Sequence, residues 1–435
     1  MTRSILIVLC MLYATNTQAL GLKQAYELAL ANDPTLQAEQ QQHAAAQEHR
    51  NVGRAGLLPS LSWQYSTSRS QSEVWQGAIR TERDYRSYAA TLSLSQPLLD
   101  FEAMARYRQG QAKTAMADER WRGQSAQLLV RVLRSYSQAL LAGERLELGA
   151  ARQRALVERL RLNQRLLAGG EGTRTDVLET QARLSLADAE LIEALDLQAV
   201  ALDELQGMLG INPEVLRPLA EHLPITPLLP AQFEHWRGQA QANNWELASK
   251  RHGLDVAAHE VRRQRAGHLP KVNLFANNRQ TRSDSESTYD QRYDTNSIGV
   301  QVSVPLFAGG AVMASTRQAS RQLSQAQYEL DALTASTFNE LRRHFNARVS
   351  GAARVRAYRL AVESARAQVH ATRQSVKGGE RINLDVLDAE QQLYTSQREL
   401  AEARHAWLLA DVQLRYLAGG LGEDDVVRLD GYFRH

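Results

Sequence analysis

Cysteine is almost missing: Cys10 is the single one in 435 residues. A mature chain beginning after it would have no thiol for a disulfide, a thiolate metal site or a cysteine nucleophile. Proline is scarce at 10 residues and aromatics make up 6%, while Ala, Leu, Gln, Glu and Arg abound. That balance favours long helices over one large globular core. An excess of charge is missing too, since 51 basic and 48 acidic residues nearly cancel. Arg262, Arg263 and Arg265 cluster without an aromatic platform. No nucleic acid partner is expected. The longest apolar run near the start, residues 5–13, is about half of the roughly 20 residues a membrane helix requires. With Arg3 before it and Thr17 and Ala19 after it, it reads as a signal peptide over 1–19, with the mature chain starting at Leu20. Val8 and Leu9 are not the small residues that precede a lipid-modified cysteine.

Catalytic signatures are also absent: there is no Gly-Lys-Ser/Thr phosphate loop, no His-Glu-x-x-His and no Gly-x-Ser-x-Gly. His252 and His259 could share a helix face, but solvated helix positions are the default for such a pair. Gly169-Gly170-Glu171-Gly172 has no strand before it and reads as a turn rather than a phosphate cradle. No catalytic residue, metal site or cofactor is therefore expected, and the chain is not read as an enzyme.

What is present is a chain that contains itself twice. The segment Arg54-Ala55-Gly56-Leu57-Leu58-Pro59 matches Arg265-Ala266-Gly267-His268-Leu269-Pro270 at an offset of 211, and Ala31-Asn32 matches Ala242-Asn243. Leu92-Ser93-Leu94-Ser95-Gln96-Pro97-Leu98 matches Val300-Gln301-Val302-Ser303-Val304-Pro305-Leu306 at 208. Gly169-Gly170-Glu171 and Asp176-Val177-Leu178-Glu179 match Gly378-Gly379-Glu380 and Asp385-Val386-Leu387-Asp388 at 209. Three blocks in order define a first structural repeat over 20–212 and a second over 231–419. Between them lies a Pro-rich linker, 213–230, and after them a tail, 420–435.

Within each repeat the periodicity changes from helical to alternating and back. Leu61, Trp63 and Tyr65 alternate with polar residues, as do Tyr88, Ala90, Leu92 and Leu94, which predicts a β-hairpin over 60–97. Val272, Leu274 and Ala276, then Ile298, Val300, Val302 and Val304, predict a second over 271–306, with Phe275 breaking the pattern. Polar loops are expected over 73–83 and 283–294, with Trp75, Tyr85, Tyr289 and Tyr293 nearby as interface aromatics. Proline-free runs over 101–168 and 311–377 could each reach about 100 Å as helices. Each ends at a Gly-Gly turn, and a second helix returns. On the last helix Val386, Leu393, Leu400, Trp407 and Leu414 recur every seven residues, with Ala389, Ser396, Ala403, Ala410 and Leu417 three positions on. That is a coiled-coil seam.

An export signal, no transmembrane helix and amphipathic strands leave the β-barrel as the way to span a membrane. One chain supplies four strands and the smallest barrels take about eight, so several chains would have to share one. Soluble hairpins on a periplasmic coiled-coil scaffold are the alternative.

The stretch from Gly378-Gly379-Glu380-Arg381-Ile382-Asn383-Leu384-Asp385-Val386-Leu387-Asp388-Ala389-Glu390 through Leu393-Tyr394 to Arg398-Glu399-Leu400-Ala401-Glu402-Ala403-Arg404 resembles the second-repeat tip of the TolC outer-membrane channel family. The opening Ala25-Tyr26 through Asn32-Asp33-Pro34, the Gly56-Leu57-Leu58-Pro59 strand entry and the ending Gly422-Glu423-Asp424-Asp425-Val426 match in order. Tyr85-Arg86-Ser87-Tyr88, Gln96-Pro97-Leu98 through Gly110, and Leu166 through Asp176 look like the branch serving type I (alkaline protease) secretion. The resemblance implies an α+β membrane protein: a long α-helical coiled-coil barrel, plus four β-strands per chain completing a 12-stranded trimeric outer-membrane β-barrel. It implies a passive homotrimeric exit duct, with a helical tunnel in the periplasm. The implied partners are a periplasmic adaptor (membrane fusion) protein, an inner-membrane ABC transporter, the transported protein and outer-membrane lipid. A drug-efflux duct shares this fold and stays open as the alternative cargo.

Residue by residue, the resemblance assigns Asp385 and Asp388 as tunnel-constriction carboxylates, for which an ordinary acidic helix start is the alternative. Asp176 and Arg381 match a gate salt bridge. The family's lock adds a tyrosine nine residues before the first of those aspartates, where this chain has Val376. Gly170 and Gly379 match adaptor-docking tips, or else a turn that needs positive φ.

Overall fold

A computed structural model describes residues 19–283 and 291–433. The expected signal peptide, Cys10 and Tyr289 lie outside the described residues. Helices α1 (Leu22–Asn32) and α2 (Pro34–Ala55) lead into strands β1 (Ser60–Gln76) and β2 (Ile79–Leu99), then α3 (Phe101–Ala168) and α4 (Arg174–Leu209). The same order recurs as α5 (Phe233–Asn243), α6 (Trp245–Arg265), β3 (Lys271–Ser283), β4 (Gln291–Ser303), α7 (Ala311–Lys377) and α8 (Asn383–Leu417), before a short α9 (Glu423–Asp430). With no proline inside them, α3 and α7 continue unbroken for 68 and 67 residues. None of the described helices is long and apolar enough to cross a membrane.

The chain forms two compact units, each drawn from both halves of the sequence. One comprises residues 40–122 and 245–335 and carries the sheet. Its four strands are antiparallel in the order β1-β2-β3-β4, which leaves one edge of β1 and one of β4 unpaired in the chain. Register puts Leu61 opposite Leu94, Leu94 opposite Ala276 and Ala276 opposite Ile298. Trp63, Tyr65, Leu92, Leu274, Val300 and Val302 share that face, while Ser60, Ser62, Ser93, Ser95, Asn277 and Ser297 line the other. The apolar face is bare: Trp63 is 68% exposed and Ile298 78%. So large an exposed apolar surface marks a partner or a membrane. Trp63, Tyr65 and Tyr88 stack in a row across it, with centroids 6.1 and 6.4 Å apart. Beyond that row the same face turns charged, with ion pairs Arg69–Asp84 and Arg80–Glu73.

Two expectations are corrected here, and a third is explained. Residues 73–83 are not a loop, because cross-strand pairing continues to Gln76 opposite Ile79 across a two-residue turn; the opposite charges on facing strands stabilise it. Of the expected interface aromatics, register places Tyr85 and Tyr293 on the polar face, and Trp63, Tyr65 and Tyr88 form the aromatic row instead. Phe275 breaks the alternation because it sits on the polar face opposite Gly299, where a Cβ would fall 2.8 Å from its ring. The aromatic ring covers the glycine. Pro97 falls at a register shift, where a strand tolerates the missing N–H.

The other unit comprises residues up to 39, 123–244 and 336 onward. Its core gathers Leu228, Phe233, Trp236, Ala240, Leu341, Leu414, Leu417 and Ala418. The heptad seam of α8 is buried at Val386, Ala389, Ser396, Ala403, Trp407, Ala410, Leu414 and Leu417, and half-buried at Leu393 and Leu400. Leu20 bridges Leu216, and Leu219 bridges Phe433. The Tyr136 hydroxyl lies between the carbonyl oxygens of Leu20 (2.7 Å) and Arg217 (3.0 Å), with the Phe433 ring edge-on at 5.1 Å. Nearby, Arg348 donates from Nε to Asp411 at 2.9 Å and from Nη2 to the Thr226 carbonyl at 3.1 Å, and it lies 4.1 Å over Trp407. Arg415 and Arg428 approach the second oxygen of Asp411 at 3.2 and 3.1 Å. Burial alone would raise the Asp411 carboxyl, but the three guanidinium groups outweigh it and hold it below the ordinary value.

Candidate channel tip

Both helical hairpins reverse on glycine. Gly170 and Gly379 sit at φ +81° and +79°, and a Cβ on either would meet nothing within 4 Å. The turns are alike in bonding. Gly170 N–H donates to Leu167 and Glu171 N–H to Leu166; Gly379 N–H donates to Val376 and Glu380 N–H to Ser375. Each closes the last turn of the long helix with a left-handed residue. The open space beside each glycine is equally compatible with a neighbour's close approach.

After the first turn Thr173 caps α4. Asp176 N–H donates to Thr173 Oγ1 at 3.1 Å, and Asp176 Oδ2 accepts from that hydroxyl at 2.5 Å. Asp176 is thus the acidic partner of a capping box. Arg381 is exposed on the opposite turn, and among the described residues it makes no ion pair with Asp176 in the chain. Asp385 occupies the same third helical position in α8, where Ile382 N–H reaches it at 3.4 Å. One turn on, Asp388 accepts from Arg183 of α4 at 2.6 Å.

Below the turns Leu156, Leu160, Leu184, Ala187 and Leu387 pack together, with Val157 and Val177 against them. Arginines flank this core. Glu390 of α8 receives Arg159 of α3 at 3.2 Å and Arg373 of α7 at 2.6 Å. Arg152 of α3 bonds Glu190 of α4 and Gln391 of α8, and lies 4.7 Å over the Tyr394 ring. The hairpins are therefore joined inside one chain by arginine contacts that sequence reasoning missed. Arg183 carries one readable signal: it stands seven residues after Asp176, on the same helix face.

This architecture has known counterparts. The family model for outer membrane efflux proteins matches residues 25–211 and 236–420. The chain belongs to the outer membrane efflux protein family. It is 49% identical over 414 residues to the alkaline protease secretion protein AprF of Pseudomonas aeruginosa, covering 94% of this chain and 86% of that one. It is 47% identical over 437 residues to the proteases secretion protein PrtF of Dickeya chrysanthemi, covering 99% and 95%. The crystal structure of the outer membrane protein VceC of Vibrio cholerae superposes with a TM-score of 0.77 at 21% identity, covering 92% and 96%. Like other outer membrane efflux proteins, this one resides in the outer membrane, and its fold is that of the channel proteins.

Proposed function

We propose that the chain is the outer-membrane channel-tunnel of a type I secretion system. It would be a passive homotrimeric exit duct for proteins handed over by an inner-membrane ABC transporter through a periplasmic adaptor. The sheet carries this reading: an exposed apolar face, a polar opposite face and two open edges suit a barrel wall and no soluble surface. Three copies would close 12 strands, with β4 of one chain pairing to β1 of the next. The two repeats, 20–212 and 231–419, would then place two helical hairpins per chain around the tunnel. The duct catalyses nothing; the transporter supplies the energy.

Protease cargo is favoured over drugs because AprF and PrtF, both named for protease secretion, match nearly the whole chain at 49% and 47% identity. The family description, which speaks of efflux, supports the drug duct as the second reading. In the same assembly Asp385 and Asp388 would ring the constriction. Asp176 and Arg381 would link tips of adjoining chains, since inside one chain they do not pair. Gly170 and Gly379 would take the adaptor. The test is to express the gene with its neighbouring transporter and adaptor in a host lacking such a duct. A trimer before heating, in outer membranes, with protease exported to the medium is expected. Monomer in the soluble periplasmic fraction would sink the channel; trimers that expel drugs but no protease would transfer the cargo to the second reading.

A further inference from the structure

The two constriction carboxylates are not equivalent. Asp385 is half-buried at the start of α8, where its Oδ2 meets the Ile382 N–H of its own chain at 3.4 Å. Asp388 meets a guanidinium instead, Arg183 Nη2 at 2.6 Å, on the neighbouring helix. Arg183 is well placed to hold that bond: its side chain is 22% exposed and approaches Glu179 one turn back at 3.7 Å. It also lines a cavity of about 230 Å³ with Leu156, Val369, Leu387 and Leu393. A long side chain confined in this way loses little further freedom on pairing.

We propose that Arg183 is the specificity-determining residue of the tip: it neutralises Asp388, so that Asp385 alone presents uncompensated negative charge. The inference rests on the proposed tunnel, in which three chains bring these residues together. Of the six constriction aspartates the three Asp388 are then paired with a guanidinium and the three Asp385 are not. A cation entering the ring responds to Asp385 directly. It meets Asp388 as a dipole with Arg183, whose field falls off far faster with distance than that of a bare charge.

Block of single-channel current by divalent and trivalent cations, magnesium and a lanthanide, in planar bilayers reads this out. Each variant is first shown to form heat-labile trimers with open-channel current. Asp385→Asn is expected to raise the half-blocking concentration roughly tenfold, and Asp388→Asn, which leaves the Arg183 guanidinium bare, severalfold. Arg183→Gln exposes Asp388 and should lower the half-blocking concentration severalfold. Arg183→Lys should restore the wild-type value, and Arg183→Gln/Asp388→Asn should return close to it. A merely structural arginine would disturb trimers or conductance without tightening block, and the second substitution would not cancel the first. If Arg183→Gln fails to tighten block, or Arg183→Gln/Asp388→Asn weakens it as much as Asp385→Asn does, the assignment of Arg183 falls while the constriction stands. If Asp385→Asn also leaves block unchanged in conducting trimers, the constriction reading falls with it.

Discussion

Removing Asp411 should destabilise the periplasmic-type helical unit far more than removing its closest cation. Asp411 and Arg348 both have side chains 4% exposed, and they bond at 2.9 Å. Asp411→Ala leaves the Arg348 charge buried against the Thr226 carbonyl and the Trp407 face. A buried charge stripped of its partner costs about 3–5 kcal/mol. Arg348→Met refills the volume and leaves Asp411 held by Arg415 and Arg428 at 3.2 and 3.1 Å. Its cost is the lost charged hydrogen bond, about 2 kcal/mol. The double variant should cost less than the sum, by about 1–3 kcal/mol. The pH dependence has a definite sign. Because the folded carboxyl lies below its ordinary value, its contribution is complete above the unfolded pKa of about 4 and fades as pH falls through the lower folded one. Guanidinium unfolding of detergent-solubilised protein, followed by far-ultraviolet circular dichroism, measures all three variants at neutral and acid pH. Equal costs for the two single substitutions, or a gap between wild type and Asp411→Ala that widens in acid, would refute the reasoning.

Three further outcomes follow from the tip and from the far end of α8. Arg381→Ser and Asp176→Asn should each raise single-channel conductance, the asparagine keeping the Thr173 cap, with a double variant less than additive; unchanged conductance in both, with trimers intact, removes the gate. Gly379→Ala and Gly419→Ala share a positive φ, +79° and +72°, but an added Cβ at 419 would lie 2.2 Å from the Asn243 carbonyl oxygen while 379 faces open space. Strain alone costs roughly 1 kcal/mol, so Gly419→Ala should lower the melting temperature distinctly more. Bulky replacement of Gly379 should weaken adaptor crosslinking without loss of trimers, and equal melting shifts for the two alanines would contradict the packing argument.

Local chemistry carried most of the fold into the sequence. Long proline-free runs marked α3 and α7 to the residue, because nothing but proline or a left-handed glycine stops an uninterrupted helix former. Alternation marked β1 through Tyr65 and β2 from Tyr88, and between them the rule failed: Glu73 and Arg80 look like a loop by polarity but bond across strands, as Arg69 and Asp84 do beside them. Polarity reports solvent, and strands beyond an apolar band are solvated. At the tip, residue identities located the glycines and aspartates. The partner of Asp388 did not show: Arg183 shares a helix face with Asp176, but it lies 205 positions from Asp388, and one arginine among many does not mark that pairing. The contacts of Glu390 were hidden for the same reason.

The bridges linking Leu20 to Leu216 and Leu219 to Phe433, with Tyr136 beside them, have a consequence in time. They join the beginning, the middle and nearly the last residue of the described chain. Contacts this remote in sequence are the slowest to form, since the intervening loop entropy must be given up before any of them is gained. These bridges cannot all close before Phe433 has crossed the inner membrane. The helices can form from local contacts as they emerge, but the second bridge waits for Phe433, and a chain without that residue lacks the closure.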